Sequence, residues 1–243
     1  MKRLLLALQF LTIFPVRIKA GIDEKDFGAS LVYFPFVGLL IGLFLAGCVF
    51  IFSFLPGLVR AALILIASII ISGGIHLDGF ADVCDGFYGN KPKEIILEIM
   101  RDSHAGAIAV IGLSALLLLK FSLLVSIPGE LLYKLLIFMA VFSRYCQVVS
   151  SSFSDYARSD GKAKYFVEYA GIREFLIATV FTLALLLFLL KIKGIILFCL
   201  CLFSILLFIS WIKRKIGGMT GDTIGAVSEI AEVLVLLFGL VLI

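Results

Sequence analysis

In the stretch HLDGFADVCDG, Asp78, Asp82 and Asp85 stand at i, i+4 and i+7. On a helix that spacing places all three carboxylates on one stripe. Like charges so arranged repel one another unless a cation lies between them. Mg2+ suits the position, because it prefers hard oxygen ligands and is usually held by one or two carboxylates, with water or substrate phosphate completing its shell. A solvated loop that happens to be acidic is the alternative, but carboxylates at a membrane edge favour function, so Asp78, Asp82 and Asp85 are candidate metal ligands, and Asp82 and Asp85 candidate catalytic residues. Gly79 and Gly86 remove side chains and let a large ligand approach the backbone. Downstream, KEIILEIMRDSHAG sets Glu94, Glu98 and Asp102 at i, i+4 and i+8, with Ile95, Ile96, Ile99 and Met100 opposite. This pattern reads as an amphipathic helix on a membrane surface.

A third acidic set lies in GGMTGDTIGAVSEIAEVL, where Glu229 and Glu232 follow Asp222 on one helical face and run into the apolar ending VLVLLFGLVLI. A carboxylate inside a membrane helix costs about 2.5–3.5 kcal/mol on insertion scales, so two of them need a partner. A shared Mg2+ or a polar substrate group makes Glu229 and Glu232 catalytic candidates. A structural pair satisfied by Arg144 or by backbone donors is the alternative. Gly217, Gly218 and Gly221 beside Thr220 form either a turn of N–H groups suited to phosphate or a helix start. Arg144, inside an apolar run, is expected to face an aqueous or acidic interior, with an arginine snorkelling from near the helix end as the alternative. Arg158, in the loop SDYARSDGKAKY, either clamps a phosphate or sets topology.

The elements that must position these groups are membrane helices. The chain is 62% hydrophobic and 16% charged, with mean hydropathy +1.18, against about 45–50% apolar in ordinary soluble domains. Apolar runs predict spans near 31–54, 58–76, 104–127, 131–151, 174–192, 194–212 and 224–243, about seven, in one all-α membrane domain covering 1–243. The N-terminal MKRLLLALQFLTIFPVRIKAG lacks an A-x-A cleavage site and breaks at Pro15, so it reads as a retained interfacial helix. Basic clusters fall on one side: Lys2, Arg3, Arg17, Lys19 and Lys25, then Lys91, Lys93 and Arg101, then Arg158, Lys162, Lys164 and Arg173, then Lys213, Arg214 and Lys215. By the positive-inside rule that side is the cytoplasm, and the membrane is expected to be the inner membrane of a prokaryote. The opposite connections, LPGLV, IPGEL and KIKG, are tight turns, so function is expected at the cytoplasmic face. The net charge of +4 is spread as topology signals, which excludes nucleic acid as a partner, and five scattered cysteines give neither a disulfide framework nor a zinc site.

The motifs HLDGFADVCDGFYG, EIMRDSHAGAIAV, FSDYARSDG and GGMTGDTIGAVSEIAE, with the leading LQFLTIFPV and YFPFVGLLIG, resemble the cobalamin 5′-phosphate synthase family along essentially the whole chain. The resemblance implies a Mg2+-dependent membrane transferase, adenosylcobinamide-GDP ribazoletransferase, acting in the last assembly step of the cobalamin nucleotide loop. It implies joining of adenosylcobinamide-GDP to α-ribazole or its 5′-phosphate with release of GMP. Within these motifs His76, Arg101, Asp102, Arg158, Thr220 and Asp222 are expected to bind substrate, joined by Arg144 from the fourth span. Membrane lipid is a further expected partner, and a homo-oligomer is allowed for. The D-x-x-D-G core also resembles the start of the CDP-alcohol phosphotransferase motif, but Gly89-Asn90 stands where that family has Ala-Arg, which puts phospholipid synthesis second. A cation-coupled transporter ranks third, because the carboxylates gather at one face and no repeat is visible.

Overall fold

The structure is a computed structural model that describes residues 1–18 and 21–243; Lys19, one of the N-terminal basic cluster, lies outside the described residues. Among the described residues the secondary structure is helical, with no strand beyond a single bridge between Tyr156 and Met219. The helices are α1 (Lys2–Leu11), α2 (Glu24–Ser30), α3 (Phe34–Ile51), α4 (Gly57–Ser72), α5 (Ile75–Phe87) and α6 (Lys93–Ile99). They continue as α7 (Ala107–Ser126), α8 (Gly129–Ser152), α9 (Lys164–Glu168), α10 (Ile172–Ile216) and α11 (Gly221–Leu242).

Five stretches are long and apolar enough to cross a membrane: Glu24–Ile51, α7, α8, α10 and α11. Counting the bent pair of α4 and α5 as one crossing makes six. The expected spans 174–192 and 194–212 both fall inside α10, whose backbone leaves helical geometry at Lys191 (φ 55°), within the KIKG turn. The chain folds back there. Phe175 of the first arm packs its ring 4.9 Å from that of Phe153, and Lys213 of the second donates to the Phe153 carbonyl at 2.6 Å. The expected seven is reached only by counting the two arms apart.

Helix α8 is the axis of the bundle, buried almost continuously from Phe138 to Ser151, with α3, α10 and α11 packed around it. Lipid adds no hydrophobic drive between helices, so close packing depends on small residues. Gly42 of α3 illustrates it: a Cβ there would stand 2.6 Å from the Ile137 Cα of α8. Outward positions such as Phe50, Val180, Phe188 and Phe203 are exposed and apolar, as a lipid-facing surface requires.

The span expected over 58–76 stops at Ser72. Gly73 and Gly74 take φ of 66° and 70°, a left-handed conformation that side chains resist, and the next helix departs at 92°. Helix α5, with its three aspartates, therefore runs across the end of the bundle rather than along it.

Candidate active site

Two glycines set the site. A Cβ on Gly79 of α5 would lie 2.7 Å from the Asp222 Cα of α11, and one on Gly225 would lie 3.2 Å from the His76 Cα. Only bare backbone lets α5 and the start of α11 approach so closely. That contact carries Asp222 to the acidic face of α5, where Asp82 feels the charges of Asp222, Asp78 and Asp85 and of one cation, Arg158.

Arg158 comes from the connection after α8. Its Nη1 lies 2.9 Å from Asp222 Oδ2, and its Nη2 donates to the Met100 carbonyl at 3.3 Å, which ties α6, α11 and the connection together. The same connection is pinned by paired backbone bonds, Ala157 N–H to the Met219 carbonyl and Met219 N–H to the Asp155 carbonyl, both 2.8 Å. Beside these groups opens a cavity of about 290 Å3. Asp78, Asp222, Arg158, Lys162 and Tyr156 line its polar part, with His76 and Gln147 deeper and Phe10, Phe34 and Phe166 along one wall. Burial raises the Tyr156 phenol above its ordinary value, so it stands at the cavity as a neutral hydroxyl.

The three aspartates of the stripe do share one helix, but their surroundings differ. Asp78 is exposed and Asp82 half-buried. Asp85 points both oxygens at the start of α7, accepting from the Gly106 N–H at 2.6 Å and the Ala109 N–H at 2.9 Å. A helix start leaves its first N–H groups unsatisfied and carries partial positive charge. Asp85 therefore has a structural partner that Asp78 and Asp82 lack. Among the described residues no three His, Cys, Asp or Glu side chains are arranged to hold a metal ion by themselves. The donors available, Asp78, Asp82 and Asp222, are hard oxygens, and Mg2+ takes few protein ligands when phosphate supplies others, so the set fits a cation that is completed by substrate.

The remaining expected residues divide. Thr220 is the N-cap of α11, accepting from the Thr223 N–H at 3.2 Å while Thr223 Oγ1 accepts from the Thr220 N–H at 2.8 Å. It is fully buried, so the glycine-rich turn serves the helix start. Arg101 pairs with Asp160 at 3.0 Å in an adjoining groove, and Asp102 pairs with His104 at 2.6 Å; both pairs are exposed. Helix α6 ends at Ile99, so Asp102 does not continue the Glu94 and Glu98 face as the spacing suggested.

Glu229 and Glu232 sit away from the cavity, inside the bundle. Lys120 Nζ of α7 lies 2.5 Å from Glu229 Oε2 and 2.7 Å from Glu232 Oε2. Arg144 Nη1 of α8 lies 2.5 Å from Glu232 Oε1 and also donates to Ser143 Oγ at 2.7 Å. All four charged side chains are buried, two of each sign. The expectation that these glutamates need a shared Mg2+ or a substrate group loses its energetic reason, because Lys120 and Arg144 already compensate them. Arg144 faces an acidic interior and does not snorkel to the helix end. Lys120 was missed, although its signal was present: it is the one charge in the apolar run AIAVIGLSALLLLKFSLLVS.

No solved structure matches the chain. An adenosylcobinamide-GDP ribazoletransferase of Geotalea daltonii is 39% identical over 232 residues, covering 95% of this chain and 94% of its own. The protein of the same name in Clostridium acetobutylicum is 37% identical, covering 95% and 92%. That of Chlorobium phaeobacteroides is 39% identical over the whole of this chain and 98% of its own. The profile of one family, cobalamin-5-phosphate synthase, matches residues 3–241, end to end through the cavity-lining segments and the buried charge cluster alike, and the chain belongs to that family.

Proposed function

We propose that the chain joins adenosylcobinamide-GDP to α-ribazole or its 5′-phosphate, giving adenosylcobalamin or its 5′-phosphate and GMP. The observation that carries the reading is the convergence of Asp78, Asp222 and Arg158, from three separate segments, on the lining of one cavity, with Asp82 close enough to feel all three charges. Substitution at a pyrophosphate builds negative charge on the phosphoryl and leaving oxygens, and catalysis there rests on positioning and electrostatic stabilisation.

Asp78, Asp82 and Asp222 would hold Mg2+ together with the donor's pyrophosphate, and that ion supplies Lewis-acid charge compensation when bound. Arg158, fixed in orientation by Asp222 and the Met100 carbonyl, presents its guanidinium to the phosphoryl oxygens. The acceptor's hydroxyl attacks the cobinamide-side phosphorus as GMP departs, and a carboxylate of the same set takes its proton. Tyr156 donates its phenolic hydrogen to a substrate oxygen. Asp85 acts one step back: by capping α7 it fixes the end of α5 on which Asp82 stands. Glu229 and Glu232, locked to Lys120 and Arg144, hold α7, α8 and α11 in register beneath the cavity.

The basic clusters favour a cytoplasmic cavity mouth, and the Arg101–Asp160 and Arg158–Asp222 pairs, which draw the surrounding connections together, support that reading. Purified protein in liposomes, given adenosylcobinamide-GDP, α-ribazole 5′-phosphate and Mg2+, is expected to release GMP, and to stop when the cation is chelated. Release of CMP from a CDP-activated lipid instead would move the chain to phospholipid synthesis and overturn this reading.

A further inference from the structure

Phe10 of α1, Phe34 of α3 and Phe166 of α9 meet over the cavity from three separate elements. Their ring centroids are 4.4 Å apart for Phe10 and Phe166, 5.5 Å for Phe34 and Phe166, and 6.1 Å for Phe10 and Phe34. Next to this wall His76 and Gln147, 4% and 1% exposed, meet through their Nε2 atoms at 2.9 Å. With the amide nitrogen donating, imidazole Nε2 accepts and the ring proton sits on Nδ1. His76 Nδ1 and Gln147 Oε1 are then a buried donor and a buried acceptor, and neither has a hydrogen-bond partner. Turning the amide over exchanges their roles and again leaves one donor and one acceptor. Buried polar atoms are nearly always paired, and the two side chains that carry these orphans line the cavity, so a small turn of the pair toward it would let a ligand satisfy both.

We propose that this corner is the seat of the acceptor's heterocyclic base. A flat, largely apolar bicyclic ring stacks on the phenyl wall and turns its free ring nitrogen toward the His76–Gln147 pair, while its sugar reaches Asp78, Arg158 and Asp222. The inference rests on the transferase reading and adds to it the acceptor's place and the residues that select it. The chemistry favours the acceptor over the donor. A guanine edge carries several donors and acceptors that three phenyl rings cannot pair, and a corrin ring is too large for a cavity of about 290 Å3. Ribazole, a nucleoside of a substituted benzimidazole, has one free ring nitrogen and otherwise apolar edges.

The test uses the full chain in liposomes and measures KM separately for α-ribazole 5′-phosphate and for adenosylcobinamide-GDP, in wild type and in Phe166→Ala, Phe166→Leu and Gln147→Met. Base–aromatic stacking predicts a rise of about tenfold in acceptor KM for Phe166→Ala, with donor KM within about twofold of wild type. Phe166→Leu, which keeps apolar volume without the ring, should lie between. If Phe166→Ala fails to insert, the wild type alone decides: an acceptor with a monocyclic imidazole base should show acceptor KM raised about tenfold over the benzimidazole one. A rise confined to donor KM, or equal KM for both bases, overturns the assignment. Equilibrium dialysis of α-ribazole 5′-phosphate keeps this apart from the activity. Wild type that binds it, more tightly than Gln147→Met, but releases no GMP would sink the transferase reading and leave the base seat standing; wild type that releases GMP with no loss of binding in Gln147→Met would do the reverse.

Discussion

Beside the cavity Asp78, Asp82 and Asp222 gather near Arg158, with Lys162 also on the lining, whereas within the bundle Lys120 and Arg144 meet Glu229 and Glu232 one for one. Both regions put carboxylates at helix positions where membrane surroundings make charge costly, and sequence spacing treats them alike. Their partners separate them. The inner cluster is closed: each carboxylate has a cation within hydrogen-bond reach, and nothing is left to recruit. The outer cluster is open, with Asp78 exposed and Asp82 without a bonded cation, and this is the condition for binding a metal ion and a phosphate. Acidic spacing alone therefore does not tell the two clusters apart; compensation by neighbouring cations does.

The comparison breaks most severely at the outer cluster. Asp82→Asn and Asp78→Asn should each lower transfer by about 10²–10³-fold, the scale seen when one electrostatic group of a reaction centre is removed, with thermal unfolding unchanged. GMP release at saturating substrates reads it, and near-normal turnover in both variants removes the outer cluster from the chemistry. Next in size is Lys120→Met, which leaves two buried carboxylates with Arg144 alone and should cost about 3–5 kcal/mol in stability. Adding Glu229→Gln to it should recover much of that loss, because the site is again balanced, and a double-mutant cycle in detergent unfolding shows the coupling. Strict additivity would mean that the pair does not interact. The smallest effect belongs to Asp85→Ala. Removing a cap costs about 0.5–2 kcal/mol, so α7 loses stability while a reduced but measurable turnover survives, and Asp85→Asn, which keeps an acceptor oxygen, should lie closer to wild type. Complete loss of turnover in Asp85→Asn with an unchanged melting temperature would return Asp85 to the metal.

Much of this was readable from the chain because membrane crossing demands it. Long apolar runs, the Pro56-Gly57 and Pro128-Gly129 turns, the KIKG reversal at Lys191 and the i, i+4, i+7 aspartates follow from one-dimensional rules, and most of the long helices came near where those rules put them. Four things did not follow. The bend at Gly73 and Gly74 lay hidden because glycine pairs also occur inside membrane helices. The capping of α7 by Asp85 joins residues 21 and 24 positions away, which spacing on one helix cannot show. The Lys120–Glu229 and Lys120–Glu232 pairs join residues more than a hundred positions apart, and only the packing of α7 against α11 reveals that the glutamates are already satisfied. The aromatic wall was invisible for the same reason: Phe10, Phe34 and Phe166 look like ordinary apolar residues until α1, α3 and α9 bring them together.

The central claim is that the open cluster needs a divalent cation and the closed one does not. The direct test is the Mg2+ concentration giving half-maximal GMP release, measured for wild type, Asp82→Asn and Glu229→Gln in liposomes. The account predicts that Asp82→Asn raises this concentration by at least about tenfold or leaves no release to measure, the scale on which losing a ligand's supporting contacts changes metal affinity, whereas Glu229→Gln keeps the wild-type value even where its stability falls. The reverse pattern, a Mg2+ requirement that moves with Glu229 and ignores Asp82, would contradict it.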